Sequence, residues 1–482
     1  MRQLTTLDAQ FLAVESARTY GHVGTLAVYD PATAPGGDLT VQDLCRLVSQ
    51  RLHLLPPFRW RLVEVPFGLD HPYWIEDPDF DLDFHIRESA VPPPGDDERL
   101  ADTVARIFAR PLDRNHPLWE IYLIQGLSNG RVGLLTKIHH SVVDGVSGNE
   151  ILSVLLDAEP AGREIPPGTS PRPDRVPHDL AMAGRGALGL VKAPFRAARS
   201  IPGALPHLTE LPGITALPAG PMLSRTVGRF MRQDPRVLDE TTARAPSTPF
   251  NGRISAHRRF AFGQLSLDTV KALKNAVGCT VNDVVVTLCA SAVREWLLER
   301  DALPEEPLVA MVPVSVRTKE QRGAFGNRVS MMIVPIATDE PDPLRRLQRT
   351  HDLLVSAKER HSALPANVLT DATAFIPPAV AALAARTTME ILGRTRPALN
   401  LVISNVPGSR TPLYLAGARL EAQYPVSVVV DGVGLNITVM SYLDHLDFGI
   451  IADREQVDDA WSMLAGLRRA LEELTGALVH TL

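Results

Sequence analysis

Cysteine is scarce in this chain: Cys45, Cys279 and Cys289 are the only three in 482 residues, and no two form a C-x-x-C pair. An odd, widely spaced set builds no disulfide framework and suits a reducing cytosol. Lysine is nearly as rare. Six of the 49 basic residues are lysine and the rest arginine, a signature of codon bias rather than of chemistry. The net charge is −6, so a global basic field for nucleic acid is absent. Long apolar runs are missing as well. No uninterrupted stretch reaches the roughly 18 residues of a spanning helix. The N-terminal segment MRQLTTLDAQFLAVES carries charges and has no signal-peptide core. The expectation is a cytoplasmic protein without a transmembrane anchor, with surface attachment to a membrane left open. There is no Walker P-loop, no strand-linked G-x-G-x-x-G and no H-E-x-x-H, and Gly145-Val146-Ser147-Gly148 matches a nucleophile elbow only in part. Nucleotide hydrolysis, hydride transfer and serine hydrolysis all lose support.

What is present is globular material, 45% hydrophobic and 22% charged, about three typical domain lengths long. Residues 1–158 alternate between strand and helix patterns. Leu44, Val48 and Leu52 share one helical face, as do Leu100, Val104, Ile107 and Phe108. Ile121–Ile124 and Val132–His139 are strand-like, and Ser147 and Glu150 have capping-box spacing before a helix over 148–158. Residues 251–482 form a second α/β unit. Helices are expected over 267–277, with Gly278 at its end, and from a Thr280 cap to about 299. Strands are expected at 308–316, 329–336, 401–404, 426–430, 435–441 and 448–452, and a last helix from Glu455 to about 478.

Between these units, residues 159–250 are rich in Pro, Gly, Ala and Arg, a linker with some helix of its own rather than one long loop. Arg185, Lys192, Arg196 and Arg199 fall on one helical face, with Gly184, Leu188, Val191, Phe195 and Ala198 beside it. A basic amphipathic helix suits an anionic lipid surface, whereas Pro194 would divide it; an interdomain strut is the competing reading.

The densest chemical constellation is KIHHSVVDGVSG, Lys137–Gly148, where an apolar strand ends and a helix begins. Ligands in open α/β sheets bind at such junctions. His139 and His140 are adjacent on a strand and point to opposite faces, so they do not readily share one metal. One of them facing a cleft has the makings of a general base. The competing reading is a hydrogen-bonded core histidine. Ser147 is better explained as a helix cap.

HHSVVDG resembles the HHxxxDG motif of the bacterial wax ester synthase/diacylglycerol acyltransferase family, an extension of the HxxxDG signature of chloramphenicol acetyltransferase-like and condensation-domain enzymes. Further blocks follow in family order: Pro117-Leu118-Trp119-Glu120, Asn282-Asp283, Val312–Arg317, Gly326-Asn327 and Ser404-Asn405-Val406-Pro407-Gly408. One departure is Gly21-His22-Val23-Gly24, where such proteins often have Met-His. The resemblance implies an α/β fold of two chloramphenicol acetyltransferase-like domains, each a mixed sheet with flanking helices, facing each other across an active-site tunnel. It divides the chain at 1–158, 159–250 and 251–482.

The implied reaction is acyl transfer from acyl-CoA to diacylglycerol or a long-chain alcohol, with acyl-CoA as substrate and neither cofactor nor metal. The resemblance makes His140 the base, Asp144 a structural partner of Arg317, Gly145 a tight turn, His139 a neighbour that tunes or packs the site, and Asn282 an oxyanion donor. It makes Trp119, Ser404 and Asn405 candidates for substrate contact. Partners would be lipid substrates and a membrane or lipid-droplet surface, not nucleic acid. Two alternatives stay open: an HxxxDG enzyme using a non-lipid or carrier-bound acceptor, and a non-catalytic lipid-surface protein. An intact His140-Asp144-Gly145 triplet argues against the second. Several blocks also have plain readings: Trp119 as a core anchor, Asp283 as a stabiliser of a helix N-terminus, and Ser404-Asn405 as a strand entering a turn.

Overall fold

The computed structural model describes residues 1–143, 148–168, 174–178, 180–185, 245–315, 329–362 and 397–479. Asp144, Gly145, Ser147, Arg317, Gly326, Asn327 and residues 186–199 of the basic amphipathic pattern lie outside them.

The N-terminal half begins with β1 (Arg2–Gln3) and α1 (Thr6–Ala13), where Thr5 and Asp8 form a reciprocal capping box. It continues through β2 (His22–Asp30) and α2 (Val41–Arg51) to β3 (Trp60–Val63) and β4 (Tyr73–Glu76). Next come α3 (Leu82–His85), β5 (Ile86–Ala90) and α4 (Asp97–Phe108), then β6 (Trp119–Gln125) and β7 (Val132–His139). Two short helices close the half, α5 (His140–Val143) and α6 (Gly148–Leu155). On α4, Leu100, Val104, Ile107 and Phe108 are all buried, the face that the 3.6-residue period requires.

The second half opens with β8 (Arg258–Ser266), α7 (Leu267–Val277) and α8 (Val281–Leu298). Gly278 takes a left-handed conformation, φ 80°, to end α7, and Thr280 caps α8 through a box with Asp283. Then follow β9 (Leu308–Ser315), β10 (Val329–Ile336), α9 (Pro343–Ser362), β11 (Leu401–Val406), β12 (Tyr414–Leu415), β13 (Ala418–Val426), β14 (Leu435–Tyr442), β15 (His445–Asp453) and α10 (Ala460–Val479).

Two expected elements are displaced. The branched run 426–430 is not a strand; Asp431-Gly432, with Gly432 at φ 84°, turns the chain so that Val430 bridges Val433. The strand lies earlier, at β13, where Ala418, Leu420, Ala422, Tyr424 and Val426 alternate with Arg419, Glu421, Gln423 and Pro425. The last helix starts at Ala460 rather than Glu455. Asp459 Oδ1 accepts the backbone N–H groups of Trp461 and Ser462, the mark of an N-cap.

Two six-stranded mixed sheets organise the molecule, in the orders β10-β9-β11-β14-β15-β8 and β12-β13-β2-β7-β6-β5, beside a small β1-β4-β3 sheet. Residues 414–426 thus leave the C-terminal unit and complete the N-terminal sheet, pairing β13 antiparallel with β2. A boundary drawn at 251 along the chain is not the boundary in space. The halves also share a core, where Leu26 and Phe108 meet Phe260, Phe262, Tyr424 and Ile451.

Candidate active site

The end of β7 is where the chemistry-bearing residues collect. β2 and β7 run antiparallel with His22 opposite His139, and Gly24 lets the strands close: a Cβ there would lie 1.8 Å from the Thr136 carbonyl oxygen. The His139 amide donates to the Leu118 carbonyl (2.9 Å) and the His140 amide to the Gly21 carbonyl (2.8 Å), so the backbone is held as the strand becomes α5. The two imidazoles then diverge. His139 is buried, and His140 is partly exposed with its ring stacked on Phe11, centroids 4.0 Å apart at 20°.

His139 is enclosed by polar partners. Its Nδ1 accepts the Ser141 backbone N–H (3.2 Å) and faces the Ser141 hydroxyl at 2.6 Å. That network assigns the proton of the neutral ring to Nε2, which lies 3.2 Å from Glu15 Oε1. Gly21 supplies the space: a Cβ there would sit 2.6 Å from His139 Nε2.

Glu15 also accepts the Gly21 N–H at 2.8 Å and an Arg114 N–H at 2.9 Å. Burial would raise the Glu15 carboxyl, but the His139, Gly21 and Arg114 contacts overcome it and bring it to about 2. Arg114 continues outward, donating to the Leu12 carbonyl (3.0 Å) and to Glu64 (2.8 Å).

Below the histidines, Lys137 is fully buried, donating to the Arg110 carbonyl (2.6 Å) and lying 3.3 Å from Glu120. His22 Nε2 meets the Phe108 carbonyl at 2.8 Å. Both side chains thus satisfy carbonyls at the C-terminal end of α4, which is structural work.

Trp119 is not on a ligand-facing surface. It is completely buried, donates Nε1–H to the Phe58 carbonyl (2.7 Å) and stacks between Phe58 and His85. Its ring presents nothing for a substrate to touch, which corrects the expectation of substrate contact: Trp119 anchors the core.

In the other half the blocks around α8 and β11 converge. Asn282 occupies the first turn of α8, and its Oδ1 accepts from Asn405 Nδ2 at 3.4 Å, a long hydrogen bond. Asp283 is buried, donating its own amide to Thr280 Oγ1 and accepting the Thr280 amide (2.8 Å), with His351 Nδ1 2.8 Å from Oδ2. Asp283 is a cap. Asn405 shares the α8-facing side of β11 with buried Leu401 and Ile403, so Ser404, in the alternate position, faces away from Asn282. The structure thus brings Asn282 and Asn405 together in one half and His139 and His140 together in the other.

Glu15, Arg114 and Phe11 belong to no motif block, and sequence reasoning passes over them; Ser141 lies inside HHSVVDG but at a position the motif leaves unspecified. The available signal was slight: Phe11 and Glu15 stand four apart, the spacing of one helical face.

Comparison with known proteins gives this geometry a family. The chain matches the sequence profile of the wax ester synthase/diacylglycerol acyltransferase catalytic domain over residues 4–285 and that of the WS/DGAT C-terminal domain over residues 325–475. It is 35% identical over 474 residues to the "Probable diacyglycerol O-acyltransferase tgs2" of Mycobacterium tuberculosis, covering 98% of each protein. The wax ester synthase/diacylglycerol acyltransferase from Marinobacter aquaeolei VT8 superimposes with a TM-score of 0.71 at 31% identity, covering 99% of this chain and 100% of that one. A starter condensation domain of rhizomide synthetase shares the fold, with a TM-score of 0.53 at 11% identity and coverage of 99% and 94%. The chain belongs to the wax ester synthase/diacylglycerol acyltransferase family and is an acyltransferase.

Proposed function

We propose, from that membership, that the enzyme transfers a fatty acyl group from acyl-CoA to the hydroxyl of diacylglycerol or of a long-chain alcohol, with His140 as general base. The observation that carries this reading is the unequal treatment of the two histidines. His139 is buried against Glu15 and Ser141. His140 is partly exposed, at a strand–helix corner, with its ring plane set by Phe11.

The acceptor hydroxyl gives its proton to the His140 imidazole as its oxygen attacks the thioester carbonyl. The tetrahedral intermediate expels CoA as the thiolate, which takes the proton back from His140. The new bond is an ester, the broken one the thioester, and no acyl-enzyme forms. Both substrates therefore meet in one ternary complex, in a tunnel between the halves. Asn282 is the candidate donor to the oxyanion. Its Oδ1 is turned toward Asn405, which leaves the amide N–H groups for another acceptor. Asp144 is proposed as a structural rather than a proton-transferring residue.

Among the described residues no single helix is long and apolar enough to cross a membrane. Lipid acceptors reside in a bilayer or droplet, so the enzyme meets that interface peripherally, with the basic segment around Arg185–Arg199 as the contact. Purified protein offered acyl-CoA with diacylglycerol and with hexadecanol, in separate assays, should form triacylglycerol, wax ester or both. Formation of neither, with hydrolysis alone or no turnover, rejects the proposal.

A further inference from the structure

The N-terminal helix does something none of the motif blocks accounts for: its C-terminal end reaches both histidines. Phe11, in the last turn of α1, lies flat against His140. Glu15, just beyond the helix end at Val14, faces His139. The same Glu15 oxygen accepts the Gly21 amide, and the Gly21 carbonyl accepts the His140 amide, so a continuous bonded path runs from the carboxylate to the backbone of His140. Arg114 locks the arrangement, donating to the Leu12 carbonyl at the end of α1 and to Glu15. Leu12 itself is buried in the core, which fixes the helix end.

We propose that Phe11 and Glu15 are positioning residues for the reaction, one for the ring of His140 and the other for the backbone that carries it. The inference rests on the reading of His140 as general base. An imidazole side chain has two torsions, and proton transfer demands one combination of them. The Phe11 face confines the ring plane. It also receives the positive charge that appears on the ring when the hydroxyl proton arrives, because an aromatic face attracts a cation. Glu15 acts one step further back. By holding His139 Nε2 and the Gly21 amide it sets where β7 ends and α5 begins. Neither residue exchanges protons with substrate.

The test uses the full-length enzyme with acyl-CoA and whichever acceptor it esterifies, measuring kcat, KM and melting temperature. Phe11→Leu keeps apolar bulk and removes the aromatic face. It should lower kcat roughly 10-fold, within the cost of a small misplacement, and leave KM for acyl-CoA within about twofold. Phe11→Tyr restores the face and should recover most of the lost kcat. Glu15→Gln keeps an acceptor oxygen for the Gly21 amide while losing the charge that faces Arg114 and His139, and should lose less than Glu15→Ala. Equal kcat in Phe11→Leu and wild type overturns the proposal. So does a loss in Phe11→Leu that Phe11→Tyr fails to recover, or one that tracks a fallen melting temperature. His140→Ala separates the two ideas: if it remains active, the base assignment and this inference fall together. If it is inactive while Phe11→Leu and Glu15→Ala turn over normally, this inference alone falls.

Discussion

The two large sheets are assembled from similar strands but are closed in different ways. The sheet β10-β9-β11-β14-β15-β8 draws every strand from residues 258–453. The sheet β12-β13-β2-β7-β6-β5 draws four from the N-terminal half and two from beyond residue 413. Both interiors combine an apolar cluster with buried charge. The N-terminal half buries Arg51–Asp157 at 2.6 Å with both side chains 4% exposed, and Lys137–Glu120; the C-terminal half buries Asp283, 2.8 Å from His351, and Asp447. What sets the half that carries HHxxxDG apart is that its sheet is incomplete without strands from the other half. Strand β7, which ends at the two histidines, lies next to β2, and β2 next to the borrowed β13. A site held this way is fixed in position by both halves at once.

The comparison breaks most sharply at the histidines. His140→Ala should lower acyl transfer roughly 10²–10⁴-fold, the usual worth of a general base, while leaving the melting temperature nearly unchanged. His139→Ala should lower the melting temperature too, since it leaves Glu15 and Ser141 facing a void. Turnover assays with thermal denaturation on both variants separate the roles.

Next in size is Arg51→Ala, which strands buried Asp157 and two carbonyl acceptors at the end of α6. Truncating one partner of such a pair costs about 3–5 kcal/mol, measurable by denaturant unfolding. Leu420→Ala, in the borrowed strand, should cost about 2–5 kcal/mol as a core cavity. Because β13 braces β2, it should also reduce kcat, whereas Ile437→Ala in the self-contained sheet should cost similar stability with less effect on turnover.

Acid separates the halves by sign. Burial pushes His85 down to about 4 and His22 well below its ordinary value, against the opposing pull of the Trp119 and Phe108 carbonyls. As pH falls below 6.5 the unfolded imidazoles take protons that the folded ones refuse. The N-terminal half then loses up to about 1.4 kcal/mol per pH unit for each histidine until its folded value is reached. Asp447 on β15 behaves oppositely. Burial raises it to about 6, so between there and 3.8 the folded state takes the proton first and gains stability as pH falls. Hydrogen exchange at pH 7 and pH 5 should show protection falling in β5–β7 and holding or rising in β15. The smallest effect is expected at Arg131, which holds Asp30 and Glu421 at the partly exposed edge where the borrowed strand joins. Arg131→Gln should cost no more than about 1 kcal/mol.

Much of this was legible in the sequence where local pattern decides. Val132–His139, Leu267–Val277 with its terminal Gly278, and the Thr280 cap all stand where periodicity and capping chemistry place them. The histidine pair at a strand–helix corner was legible for the same reason. What was not legible is long-range. β13 does alternate, with Ala418, Leu420, Ala422, Tyr424 and Val426 at every second position, but nothing local says that it pairs with β2 of the other half, across a bulge between Leu420 and Ala422. Glu15 and Arg114 become important only once the α1 end, Gly21 and His139 meet, and nothing in their local spacing announces that meeting. Trp119 was misplaced because an aromatic in a motif block looks the same in sequence whether it faces a ligand or a core.

The borrowed strand also sets a timetable for synthesis. Contacts such as Thr33 with Gly417 span 384 residues. When the ribosome has released β2, β7 and both histidines, the strand that covers the β2 edge has not yet been made. Throughout most of translation the nascent chain carries an open sheet edge beside the corner that holds both histidines, and such edges recruit other strands. The N-terminal half can finish folding only after nearly the whole protein has emerged. Activity thus arrives late and all at once, and a prematurely terminated chain that ends before β13 would be an aggregation hazard rather than a partial enzyme.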